Sequence, residues 1–233
     1  MRNGRTGGRR TGAWAKRLLW YLAGIWILGL GMVLNTRTGL GTAAIVSLPY
    51  AISEMSSLSL GTATTLLYFL YIFCQWVITR RLTAKMLLQI PFSYGMGLVV
   101  DCYNMLLTIS AFNLFSSFFL LFWAILLTAI GAYLILSMDL VLNPVDGLVK
   151  TISKAVKKEF GRTKLVFDCS VVLLTTVISV IGSGKIIGIG LGTVLSAVSI
   201  GNVISLLGRY GNPYFLRIVA ASQKKREQNL EEK

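Results

Sequence analysis

Residues 116–136 read SSFFLLFWAILLTAIGAYLIL, 21 positions without a single charge. A helix that spans a membrane needs about 20 predominantly apolar residues. Working outward, comparable apolar stretches run at 14–34, 61–78, 86–108, 165–182 and 186–207. The chain therefore reads as an all-α membrane protein of six transmembrane helices.

The connectors fix an orientation. Arg2, Arg5, Arg9, Arg10, Lys16 and Arg17 lie at or before the start of the first span, and Arg80, Arg81 and Lys85 separate the second from the third. Lys150, Lys154, Lys157, Lys158, Arg162 and Lys164 lie between the fourth and fifth. Arg209, Arg217, Lys224, Lys225, Arg226 and Lys233 follow the sixth. The alternate connectors hold only Arg37 and Lys185. Six spans with both termini in the cytoplasm put every basic connector inside, as the positive-inside rule requires. Trp14, Trp20 and Tyr21 suit interfacial anchors, and the aromatic cluster at 112–122 suits a lipid-facing surface.

Composition narrows the chemistry. The 23 Lys and Arg against 9 Asp and Glu are accounted for by juxtamembrane topology, so no nucleic-acid partner is expected. With no His in the chain, a histidine general base, a zinc site and a Ser-His-Asp triad are all ruled out. Cys74, Cys102 and Cys169 fall inside spans without ligand spacing, which points to no disulfide framework and no metal. Gly182-Ser183-Gly184-Lys185 lacks the length of a phosphate-binding loop. The expectation is a non-enzyme without a cofactor, whose partners are the lipid bilayer and a small solute or ion. A second copy or a membrane partner protein stays open.

The two halves resemble each other. Set one hundred positions apart, Gly31 meets Gly131, Leu40 meets Leu140, Ile52-Ser53 meets Ile152-Ser153 and Gly61 meets Gly161. Three spans per half is odd, so the second copy enters the membrane from the opposite side. Such inverted repeats recur in secondary transporters, with the substrate site at the repeat interface. The division expected is a basic disordered arm at 1–13, a first repeat at 14–108, a second at 116–207 and a polar basic tail at 208–233.

Each repeat carries a connector helix. In residues 143–158, Val145, Leu148, Val149, Ile152 and Val156 recur at helical spacing while Asp146, Lys150, Lys154 and Lys157 face away. Asn143 suits the N-cap, Pro144 the first helical position and Asp146 the negative first turn. Its counterpart at 43–55 has Ile45, Leu48, Ile52 and Met55 as its stripe, Thr42 as its cap and Pro49 inside. Both an interfacial helix and a re-entrant one fit this pattern.

Asn143-Pro144-Val145-Asp146-Gly147-Leu148, followed by an amphipathic helix and Gly161-Arg162, is similar to the pattern of the YczE/YyaS/YitT family of bacterial membrane proteins. Gly39-Leu40-Gly41-Thr42-Ala43 and Gly190-Leu191-Gly192-Thr193 resemble its other marks, closest to the YczE branch. The resemblance implies a small multi-pass protein of a bacterial cell membrane and names no substrate. Where the family pattern often has Gly-Pro, this chain has Asn143-Pro144.

Carboxylates inside a membrane are costly and usually face a bundle interior or a wet cavity. Asp101 has no base near it in sequence, whereas Asp168 has Arg162 and Lys164, so an ion pair and a ligand site are both open there. Thr193, Ser196 and Ser199 repeat along the last span after Gly188, Gly190 and Gly192. The expected ligand-binding set is Thr42, Asp101, Asn143, Pro144, Asp146, Asp168, Gly192, Thr193 and Ser196. The expected function is that of a small secondary-transporter-like or permease-like protein. A non-transporting regulatory or scaffold protein and a substrate-binding subunit of a larger transporter are the alternatives.

Overall fold

The computed structural model describes residues 7–231, with side chains described for 14–211, 214–216, 219 and 220. Eight helices follow in order: α1 Gly7–Thr36, α2 Ala44–Met55, α3 Leu60–Thr79, α4 Ala84–Leu106, α5 Leu114–Met138, α6 Pro144–Ala155, α7 Phe160–Ser183 and α8 Leu191–Glu231. Among the described residues there is no strand. Of the arm expected to be disordered, residues 1–6 lie outside the described residues, and the chain is already helical from Gly7. Helix α8 runs on through the expected tail to Glu231.

Five helices are long and apolar enough to cross a membrane: Trp14–Thr36, Leu60–Thr79, Leu114–Met138, Phe160–Ser183 and Leu191–Gly211. The sixth expected span is α4, which has the length at 23 residues but not the hydropathy. Lys85, Gln89, Ser93, Asp101 and Asn104 dilute it. These groups find partners: Gln89 accepts from Gln75, Asp101 from Ser59 and Asn104 from Arg37, while Lys85 pairs with Asp139 and Ser93 donates to Gln89 O. The last span also begins later than expected, at Leu191, because the chain before it turns through Gly188 at φ +72°.

Local sequence sets the helix ends. Asn113 and Ser116 form a reciprocal capping box on α5, and Thr83 and Ser59 cap α4 and α3. Asn143 caps α6 by accepting from Val145 N at 3.1 Å, with Pro144 at the first helical position, as its sequence dictates. Helix α2 differs from expectation. Its N-cap is Ala43, and Thr42 instead donates to Gly188 O. The side chain that serves the α2 start is Asn35, whose Oδ1 accepts from Ala43 N at 2.6 Å.

Helices α1 and α5 form the most extensive pair. They approach closely because a Cβ at Gly31 would collide with Thr128, and one at Gly131 with the Leu28 backbone. Helix α3 packs along α4 and against α6, and α7 packs against α2. The core gathers Leu28, Met32, Tyr68, Met96, Val100, Met138 and Val145. Tyr21, expected as an interfacial anchor, belongs to this core and donates to Val141 O. Its ring packs inward while its hydroxyl meets the carbonyls of the α5–α6 link. Phe112, Phe115, Phe119 and Phe122 stay exposed, as a lipid-facing cluster would.

Candidate functional site: a cavity where two short helices begin

The connector helices are not surface decorations. Both start inside the bundle, and each start is held by buried polar side chains. At α6, Asn143 Nδ2 donates to Tyr68 Oη at 3.1 Å, and Gln75 Nε2 donates to Pro144 O at 3.2 Å and to Gln89 at 3.0 Å. At α2, Asn35 joins the Ala43 amide to Ser196 Oγ, to which its Nδ2 donates at 3.3 Å. Buried amides of this kind are tolerated because their hydrogen bonds are made.

Between these two starts lies a cavity of about 800 Å³, within the range of small-molecule sites. Ala43, Ala44, Ile45, Asn143 and Ser196 line it, together with Lys154, Phe160 and Ser205. Leu28, Ala132, Leu136, Leu142 and Ile200 give it apolar walls. The polar face of α6 turns toward this space, with Asp146, Lys150, Ser153 and Lys154 all lining it.

The charged wall has a definite geometry. Lys164 Nζ sits 2.8 Å from Asp168 Oδ1 and 3.9 Å from Asp146 Oδ1. All three side chains are mostly covered, Asp168 at 17% exposure being the most enclosed. One ammonium is thus shared between two carboxylates on different helices. On α6, which is too short to cross a membrane, burial pushes the Asp146 carboxyl above the ordinary carboxylate range, and Lys164 opposes that rise.

The expected site residues fall into three places. Asn143, Asp146, Asp168 and Ser196 line the cavity. Pro144 follows Asn143 at the α6 start, its carbonyl committed to Gln75. Thr42, Gly192 and Thr193 belong to a neighbouring seam in which the two Gly-Leu-Gly-Thr turns meet: Gly192 N donates to Leu40 O and Thr42 N to Gly188 O, each at 2.7 Å. Asp101 lies in neither. Its two oxygens accept from Ser59 Oγ at 2.6 Å and Gly61 N at 2.7 Å, tying α4 to the first turn of α3.

A model of the family described as a family of unknown function, DUF6198, matches residues 15–209 of this sequence. The chain belongs to the DUF6198 family. Its sequence is also similar to the "Uncharacterized protein YyaS" of Bacillus subtilis (strain 168), at 27% identity over 181 residues, 77% of this chain and 90% of that protein. This likeness lies on the YyaS side of the group that the motifs resemble and does not single out the YczE branch. No solved structure matches the chain significantly.

In this DUF6198 protein several residues in or beside the cavity escaped sequence reasoning. Asn35 looked like the end of an apolar span, although a lone amide eight positions before a helix start is a usable signal. The sequence pairs Lys164 with Asp168 one turn away, and the fold adds Asp146 as a third member of the group. Lys150 and Lys154 suit the headgroup lysines of an interfacial helix, one of the two readings open for it, and they line the cavity.

Proposed function

We propose that this protein is a small permease-like protein of the bacterial cell membrane, built from two inverted three-helix repeats, with both termini in the cytoplasm. In this reading α1–α4 and α5–α8 are copies one hundred positions apart. Support comes from contacts that exchange under that shift. Gly31 packs on Thr128 and Gly131 packs on Leu28, the reciprocal pattern of a twofold interface. Likewise Ser47 hydrogen-bonds Thr175 at 3.2 Å, while Gly147 packs on Gln75.

The observation that carries the transport reading is unequal closure of two related seams. In the first half, α3 and α4 pack tightly: a Cβ on Gly61 would strike the Gly97 carbonyl and Asp101, and Thr65 donates to Ser93 O at 3.3 Å. In the second half, α7 and α8 form no comparable seam. The positions related to Gly61, Thr65, Gly97 and Asp101 are Gly161, Leu165, Ala197 and Gly201, and all four line the cavity. A Cβ at Gly161 or Gly201 would meet nothing within 4 Å. One seam shut and its relative open is what alternating access requires of a single state. The open seam faces the basic side, beside Lys150 and Lys154, which the positive-inside rule makes cytoplasmic.

The test places a single cysteine at Ala197 in a chain lacking Cys74, Cys102 and Cys169, and applies an impermeant thiol reagent to sealed vesicles of either orientation. Labelling from the cytoplasmic side is expected. Labelling from the outer side alone, or protection from both, would remove the reading.

A further inference from the structure

The cavity has more cationic than anionic groups, and they are unevenly engaged. Three ammonium groups (Lys150, Lys154, Lys164) and two carboxylates (Asp146, Asp168) line it. Both carboxylates lie beside Lys164. Among the described residues neither Lys150 nor Lys154 has an ion-pair partner. The nearest acid beyond the cavity in sequence, Glu159, pairs with Arg162. Lys150 and Lys154 are one turn apart on α6, so their ammonium groups share one side of the space. Lys150 and Lys154 are exposed at this space, whose lining also includes the apolar Leu136, Leu142, Leu165 and Ile204.

Two like charges held one turn apart repel each other mildly. An anionic group between them removes that repulsion, and a hydrocarbon body attached to it covers the apolar wall. A cation in the same place would face two ammonium groups, with the carboxylates already held by Lys164. A small inorganic anion would leave the walls wet.

We infer that the cavity binds an organic anion with an apolar body, its acidic group held between Lys150 and Lys154. This rests on the cavity of the permease reading but not on its movement, because binding is measured without transport. Access from the wrong side would sink the permease reading and leave this one standing.

The experiment measures binding to the full-length protein in nanodiscs with four probes. They are 1-naphthylacetate, its cationic relative 1-naphthylmethylamine, acetate, and a lysophosphatidic acid. The apolar anions are expected to bind, acetate and the amine at least roughly tenfold more weakly. The tighter of 1-naphthylacetate and lysophosphatidic acid tells whether the ligand comes from water or from the membrane. The K150Q/K154Q variant is expected to lose anion binding by roughly tenfold or more, and K150R/K154R to keep it. Helical circular dichroism establishes that both variants are folded. Equal binding of the amine, unchanged anion binding in K150Q/K154Q, or no binding of either apolar anion would overturn the inference.

Discussion

Lys164 Nζ lies 2.8 Å from Asp168 Oδ1, one turn along α7, in the wall of the central cavity. The second carboxylate, Asp146 on α6, is 3.9 Å from the same ammonium. One cation therefore links a span to a connector helix. Removing it leaves two partly covered carboxylates facing each other, which costs more than the pair itself is worth. Lys164→Met is expected to destabilise the protein by roughly 1–3 kcal/mol, and Lys164→Met with Asp168→Asn to recover part of that. Thermal unfolding in nanodiscs measures both; an unchanged unfolding temperature in the single variant would show that the ion pairs are not structural.

The Asp146 carboxyl titrates above the ordinary carboxylate range in the folded protein because its burial outweighs the pull of Lys164. A folded-state value that is raised means the folded protein holds the proton more tightly than the unfolded chain. The stabilisation is full below the unfolded value and is lost as pH rises through the folded one. Asp146→Asn is thus expected to raise the unfolding temperature at pH 7 relative to the parent, and to lose that advantage near pH 4. The opposite order would mean that the contact with Lys164 dominates.

Asn35 performs two tasks, accepting from the Ala43 amide and donating to Ser196. Asn35→Ala removes the side chain that serves the α2 start, with an expected loss of about 1–2 kcal/mol. Ser196→Ala leaves the acceptor for Ala43 N in place and removes only the contact of Asn35 with Ser196, so it is expected to cost less than Asn35→Ala. Equal losses would place the weight on the Ser196 contact instead.

The related glycines Gly61 and Gly161 are expected to respond differently. A methyl group at Gly61 meets the Gly97 carbonyl and Asp101, whereas one at Gly161 meets open space. Gly61→Ala is expected to cost about 1–3 kcal/mol or more through overpacking, and Gly161→Ala less than about 0.5 kcal/mol. Comparable losses at both sites would mean that α7 and α8 spend their time packed as α3 and α4 are.

Much of the helical framework was legible because apolar length and charge asymmetry are properties of single segments. The α6 start was legible too, since Asn143, Pro144 and Asp146 each act within one turn. What sequence hid depends on partners far along the chain. Asp101 stands out among the polar groups of α4, and its partners, Ser59 and Gly61 N, lie more than forty positions away at their furthest. The α2 cap was sought in the adjacent Thr42 and came from Asn35, because Thr42 is engaged by Gly188 across the fold. The cavity role of the α6 lysines was hidden for a related reason: Lys150 and Lys154 are exposed, and only the separation of α7 from α8 makes the space that they border.

Alternating access in this protein requires exchange between the closed α3–α4 seam and the open α7–α8 gap. Spin labels at the exposed pairs Thr62/Leu98 and Arg162/Val198 report the two directly. Distances measured between each pair in nanodiscs are expected to show a second population, in which the Arg162–Val198 separation shortens and the Thr62–Leu98 separation lengthens. A single narrow distance for both pairs, with and without the apolar anions, would contradict alternating access.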